Sequence, residues 1–156
     1  MQVEFRNGVL SPPEQEAVTE GFRQHTETRR APAYRRQALS WIGRGQDGEV
    51  IAALTAEVLW DWLYIDEIWV DAGRRGAGLG RQLMQRVESH ARREALQGIW
   101  LWTQSWQAED FYRRLGYREF TRFDDFPRGH RRIGFRKSLV AADARATAGA
   151  GAAPDG

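Results

Sequence analysis

Cysteine is absent from this 156-residue chain. No thiol means no disulfide framework, no thiolate zinc site, no iron–sulfur cluster and no cysteinyl acyl-enzyme. Histidine is scarce: His25, His90 and His130 lie far apart and form no ligand pattern, so no metal is expected. No apolar run approaches the roughly 20 residues needed to cross a bilayer. Met1-Gln2-Val3-Glu4-Phe5 lacks the charged-then-apolar layout of a signal peptide. Together these absences predict a cytoplasmic protein with no membrane partner. Lysine is nearly missing as well, with Lys137 alone against 22 arginines.

What is present describes one globular domain: 42% hydrophobic and 28% charged residues. The arginine bias has two readings. It is a compositional habit, or it serves an anionic ligand carrying several phosphates, since guanidinium is a planar fork that keeps its charge. The arginines are scattered without aromatic interleaving, so no nucleic-acid partner is expected.

Val3-Glu4-Phe5 reads as a short first strand and Asn7-Gly8 as a turn. Ser11-Pro12 opens a helix with Glu14 as capping-box partner. It runs to about Thr26, carries Val18 and Phe22 on one face, and is broken by Ala31-Pro32. Strand periodicity follows over residues 38–42, 50–58 and 63–70, punctuated by Gln46-Asp47-Gly48 and Trp60-Asp61-Trp62. Leu79, Leu83, Val87, Ala91 and Ala95 form one apolar stripe with Met84 beside it, a helix with Gly98 as its C′ residue. Residues 99–103 read as a buried strand, 108–115 as a short helix ended by Gly116, and 117–123 with 131–137 as a last hairpin. Most of the seven tryptophans are assigned to the core. The alanine- and glycine-rich stretch 141–156 reads as a disordered tail after a domain at 1–140.

Between a strand and the long helix lies Arg74-Arg75-Gly76-Ala77-Gly78-Leu79-Gly80. Unobstructed N–H groups at the positive end of a helix suit a phosphate or pyrophosphate. Gly80 is followed by Arg81-Gln82, not Lys-Ser/Thr, which argues against a nucleoside-triphosphate loop. The G-x-G-x-G spacing after several strands is not the dinucleotide fingerprint either.

Arg75-Gly76-Ala77-Gly78-Leu79-Gly80 resembles the R/Q-x-x-G-x-G/A motif of the GNAT N-acyltransferases. Leu63-Tyr64-Ile65-Asp66-Glu67-Ile68-Trp69-Val70 is similar to that family's central fourth strand. Ala108-Glu109-Asp110-Phe111-Tyr112-Arg113-Arg114-Leu115-Gly116-Tyr117 resembles its second motif, a helix carrying Phe-Tyr that ends at Leu-Gly-Tyr/Phe. The resemblance spans residues 1–140 and implies an α/β (α+β) fold. That fold is a mixed, mostly antiparallel seven-stranded sheet with splayed central strands, flanked by three to four helices.

The resemblance implies acetyl-CoA as cosubstrate. Backbone groups of Gly76, Ala77, Gly78, Leu79, Gly80 and Arg81, with Arg75, would hold its pyrophosphate. Ile68, Trp69 and Val70 would pair with the pantetheine arm as an added strand does, and Phe111 belongs to the same set. Many members carry an asparagine about seven residues before the motif tyrosine; this chain has Ser105 there, with Gln104 and Gln107 nearby as glutamines that could substitute, Gln107 being the one assigned to the cofactor. Tyr112 is the candidate general acid at the sulfur. Glu67 and Asp66 are candidates to accept the amine proton or hold a cationic acceptor, adjacent strand residues facing one side only if a bulge intervenes. Tyr64, Asp124, Asp125 and His130 are acceptor-side candidates. Each has a plainer counterpart: Tyr112 as a core aromatic, the carboxylates as arginine partners, the loop residues as a solvated turn.

An alkylammonium has a pKa of about 10 and must lose its proton before it attacks. Without cysteine, direct attack on the thioester is the economical route. The expected activity is therefore acetyl transfer to a primary amine of a small cationic molecule. Acetylation of a protein lysine or N-terminus, and a non-catalytic acyl-CoA-binding module, are the alternatives; a homodimer is compatible with the resemblance.

Overall fold

The computed structural model describes residues 3–140; the expected tail at 141–156 lies outside the described residues. The chain divides into two compact units, Met1–Tyr34 and Arg35–Gly156.

The first unit holds α1, Pro12–Thr28, two residues longer than the sequence predicts. The Glu14 carboxylate accepts from the Ser11 N–H at 2.7 Å and from its hydroxyl at 2.6 Å, tying down the first turn. Arg23 bridges Glu20 and Glu27 along the helix. No residue of α1 is buried. The strand expected at Val3-Glu4-Phe5 is not formed: Val3 and Phe5 are 79% and 89% exposed. Three residues without a ladder partner gain nothing from an extended conformation.

The second unit is a six-stranded sheet built from β1 (Arg36–Arg44), β2 (Val50–Leu59), β3 (Trp62–Val70), β4 (Gly98–Gln104), β5 (Arg118–Asp124) and β6 (Arg131–Ser138). The order is β1-β2-β3-β4-β6-β5, and every neighbouring pair is antiparallel except β3 with β4. Two helices belong to this unit, α2 (Leu79–Arg93) and α3 (Glu109–Arg114). Strand alternation sends Ala52, Leu54, Ala56 and Val58 of β2, Leu63 and Ile65 of β3, Ile99 and Leu101 of β4, and Ile133 and Phe135 of β6 inward. They meet Leu83, Met84, Val87 and Ala91 of α2 and Tyr112 of α3. Each large side chain buried this way contributes about 1.5–3 kcal/mol.

Two expectations are corrected by this core. The first concerns the tryptophans, none of which is fully buried. Trp100 and Trp102 alternate with Ile99 and Leu101, so they occupy the opposite sheet face, and Trp60, Trp69 and Trp106 are about half exposed. The second concerns Gly98, which is not the C′ residue of α2. Ala95 takes the left-handed conformation at φ +52°, and Leu96 N–H bonds Ala91 O at 2.9 Å. Gly98 opens β4 instead, where a Cβ would overlap Trp62 and come within 2.6 Å of the Lys137 carbonyl.

The sole lysine is structural. Lys137 Nζ donates to both Glu88 oxygens, at 2.7 and 2.8 Å, and to Leu115 O at 2.8 Å, linking β6 to α2 and to the end of α3. Among the described residues no helix is long and apolar enough to cross a membrane.

Candidate active site

β3 runs into a single 3₁₀ turn, Ala72–Arg74, capped by Asp71, whose carboxylate accepts from Gly73 N–H at 2.9 Å. Arg75 folds back so that its Nε donates to Val70 O at 3.2 Å. Gly76 and Gly78 then take φ +82° and +83°, and a Cβ on either would meet open space. The helix ladder begins with Gln82 N–H on Gly78 O, at 3.0 Å. The N–H groups of Gly76, Ala77, Gly78, Leu79, Gly80 and Arg81 therefore donate to no described residue. This is a concave row of donors at a helix N-terminus, the chemistry a pyrophosphate needs. The two left-handed glycines leave free the space that side chains would fill, so a ligand backbone can approach.

The strand leading into this loop separates from its neighbour. β3 pairs with β4 only from Trp62↔Gly98 to Ile65↔Leu101. Beyond that point β4 continues on β6 to Gln104↔Arg132, and β3 continues on β2 to Val70. The fork so formed leaves facing main-chain edges unpaired. Asp71 N–H bonds Ile51 O at 2.9 Å, which sets the phase of the β2–β3 ladder. Alternation then turns the polar groups of Ile68 and Val70 toward the fork.

At the mouth of the fork β3 bulges. Thr55 lies opposite Glu67 and Ala56 opposite Ile65, so Asp66 is an extra residue. Leu63 and Ile65 are buried before it; after it Ile68 and Val70 pack on the core. Asp66 and Glu67 are consequently both exposed, neither being spent on the core. Glu67 falls in one cross-strand row with Ser40 and Thr55, and Tyr64 in the next row with Ala38 and Glu57. Tyr64 stacks 4.4 Å from Trp100, and burial, then the Asp66 charge, push its hydroxyl pKa up. Trp69 is 46% exposed.

Tyr112 comes from α3, whose apolar side enters the core. It is 4% exposed, with ring centroids 5.2 Å from Phe111, 6.1 Å from Tyr117 and 6.0 Å from Phe135. Burial raises its pKa to about 12. Phe111 reaches the cradle itself, where it packs against Gly80. Gln107 is committed to the chain: its Oε1 accepts from Thr103 Oγ1 at 3.1 Å and Gln104 N–H at 2.8 Å. Ser105 is tied to β6 through Arg131, its N–H to Arg131 O at 2.8 Å and its Oγ accepting from Arg131 N–H at 3.2 Å.

The acceptor-side loop lies at the β5–β6 turn. Asp124 ends β5, Asp125 Oδ1 accepts Gly129 N–H at 3.0 Å, and His130 stands edge-on to Trp106 at 4.6 Å. Arg132 lies over the rings of Trp102 and Phe126, at 5.1 and 5.5 Å. The sequence reading singled out neither Arg132 nor Thr55; the only sequence signal for Thr55 was a polar residue in an otherwise apolar strand.

The chain carrying these features is similar to known proteins. The model of the acetyltransferase (GNAT) family matches residues 8–117. The blasticidin-S acetyltransferase of Streptomyces morookaense is 45% identical over 86 residues, which are 54% of this chain and 63% of that protein. The chain thus matches less than two thirds of the length of that curated relative. An acetyltransferase from Bacillus cereus ATCC 14579 has a TM-score of 0.76 at 28% identity, over 88% of this chain and 98% of that one. A protein described as a streptothricin acetyltransferase, from Bacillus anthracis str. Ames and solved in complex with acetyl coenzyme A, shares the fold. Its TM-score is 0.59 at 21% identity, over 65% of this chain and 62% of that one. The chain belongs to the acetyltransferase (GNAT) family.

Proposed function

We propose that this protein transfers an acetyl group from acetyl-CoA to a primary amine of a small cationic molecule. The observation that carries the reading is the row of free N–H groups from Gly76 to Arg81 facing open space at Gly76 and Gly78. Those groups fit a pyrophosphate, and the adjoining fork offers Ile68 and Val70 as main-chain partners for an extended arm. Likeness to a blasticidin-S acetyltransferase supports a small-molecule acceptor. The unburied carboxylates of Asp66 and Glu67 support a cationic one.

Acetyl-CoA supplies the acetyl group as an activated thioester. An Ile68 or Val70 N–H polarises its carbonyl oxygen. Glu67, directly or through water, takes the proton the amine must lose. The amine nitrogen then forms the C–N bond as the C–S bond breaks. Tyr112 gives its proton to the departing sulfur and is reprotonated from water. Burial holds this phenol at about 12, so it carries its proton at neutral pH. The test is release of free thiol from acetyl-CoA across a panel of primary amines. Amine-dependent thiol supports the reading; acetyl-CoA binding without thiol release for any amine contradicts it.

A further inference from the structure

We infer that a pocket between the edge strand β1 and one flank of α2 binds a nucleoside phosphate. This site goes beyond the proposed acetyl transfer and does not depend on it.

The pocket, of about 380 Å³, is lined by Trp41, Gln82, Gln85, Arg86, Ser89 and Arg93. That volume lies in the roughly 300–1,000 Å³ range of small-molecule sites. Its lining carries two positive charges and no carboxylate. Elsewhere arginines are taken up by acidic neighbours: Arg74, Arg113, Arg122 and Arg131 each pair with a glutamate. Arg86 and Arg93 make no hydrogen bond or ion pair with a described residue. The helix positions where a carboxylate would neutralise them hold neutral side chains. Gln82 stands four residues before Arg86, and Ser89 stands three after Arg86 and four before Arg93. The two arginines are two turns apart, about 10 Å along the axis, so their long side chains reach one phosphate or two. Trp41 supplies an aromatic wall, braced edge-on by His90 at 5.6 Å. The complement of this lining is a phosphate joined to a planar ring. Guanidinium forks grip phosphate oxygens, and an indole stacks on a base. The carboxamides of Gln82 and Gln85 donate and accept, as base edges and ribose hydroxyls require.

Placement separates this pocket from the donor path. α2 turns Gly80 toward Phe111 and Glu88 toward Lys137 of β6, whereas the arginine stripe turns toward β1. In the sheet, β2 and β3 stand between β1 and the fork.

The test is calorimetric titration of the full chain and three variants with AMP, inorganic phosphate and adenosine. Wild type should bind AMP more tightly than either fragment. Arg86→Gln and Arg93→Gln should each weaken AMP about tenfold or more, as loss of a charge-assisted hydrogen bond does. Ser89→Glu places a carboxylate between the two arginines. It should weaken AMP to a similar degree, while its melting temperature stays level or rises through the new helix pairs. All three variants should bind acetyl-CoA as wild type does. No AMP binding, or AMP held no more tightly than phosphate or adenosine, overturns the site. AMP affinity unchanged in any of the three variants, or acetyl-CoA affinity falling in step with it, overturns it as well. Binding of a single-stranded oligonucleotide in place of AMP would assign the stripe to nucleic acid and overturn the nucleotide pocket.

Discussion

Phe111 closes one side of the glycine cradle: a Cβ built on Gly80 would stand 3.4 Å from Phe111 Cζ and 3.8 Å from Val70 Cγ2. This packing locks the first turn of α2 to α3 and to the end of β3. The donor loop and Tyr112, neighbour of Phe111, are thus held on one framework.

The two glycines of this loop should behave differently. Gly78→Ala forces a side chain into φ +83°, at a cost of about 1 kcal/mol, and projects a methyl into the open space before the N–H row. Its KM for acetyl-CoA should rise tenfold or more, by steady-state kinetics. Gly80→Ala asks only a slight shift of Phe111, and alanine favours the helix by about 1 kcal/mol. Its melting temperature should match or exceed wild type, and its KM should rise less.

Tyr112→Phe should lower kcat about tenfold or more, a usual scale for general-acid loss, while the fold holds. Stability should report the same hydroxyl. Burial raises the Tyr112 pKa from about 10 unfolded to about 12 folded. The folded state then keeps a proton that the unfolded state loses, so this stabilisation is complete below pH 10 and fades as pH rises toward 12. The span is worth roughly 2–3 kcal/mol. Denaturant titrations from neutral to strongly alkaline pH should fall less steeply for Tyr112→Phe than for wild type.

The end of α2 offers a stability pair. Ala95 sits at φ +52° with a side chain, so Ala95→Gly should stabilise by about 1 kcal/mol. Gly98→Ala meets the ring of Trp62 and the Lys137 carbonyl, and should destabilise by roughly 1–3 kcal/mol. Urea midpoints of the two variants should move in opposite directions.

Lys137→Met removes the cation held by Glu88 and by Leu115 O. The side chains of that ion pair are only 23% and 15% exposed, between the surface and buried cases, so a loss of about 1–3 kcal/mol is expected. Chemical denaturation of a Lys137→Met and Glu88→Gln double-mutant cycle should show positive coupling between the two.

Periodicity and punctuation were enough to read α2, the hairpin at Gly48, and the last pair of strands from the residues alone. The glycine run and the Phe111-Tyr112 helix were legible because phosphate chemistry and a short helix leave local signatures. Other features depend on distant partners. The bulge at Asp66 is one extra residue in a ladder and shows only when β2 supplies the register. Val3 and Phe5 have strand-like chemistry but form no ladder with a described residue. Trp100 and Trp102 are apolar enough for a core, yet the face that alternation gives them is the one Tyr64 and Arg132 share. Thr55 looks like an ordinary strand residue; only the fold shows that its buried hydroxyl lacks a partner among the described residues.

The most direct measurement counts free thiol and N-acetylated amine in one reaction of protein, acetyl-CoA and a cationic primary amine. The account predicts equal amounts of both, appearing only when amine and protein are present together. Thiol without acetylated amine, or neither product while acetyl-CoA binds, would contradict it.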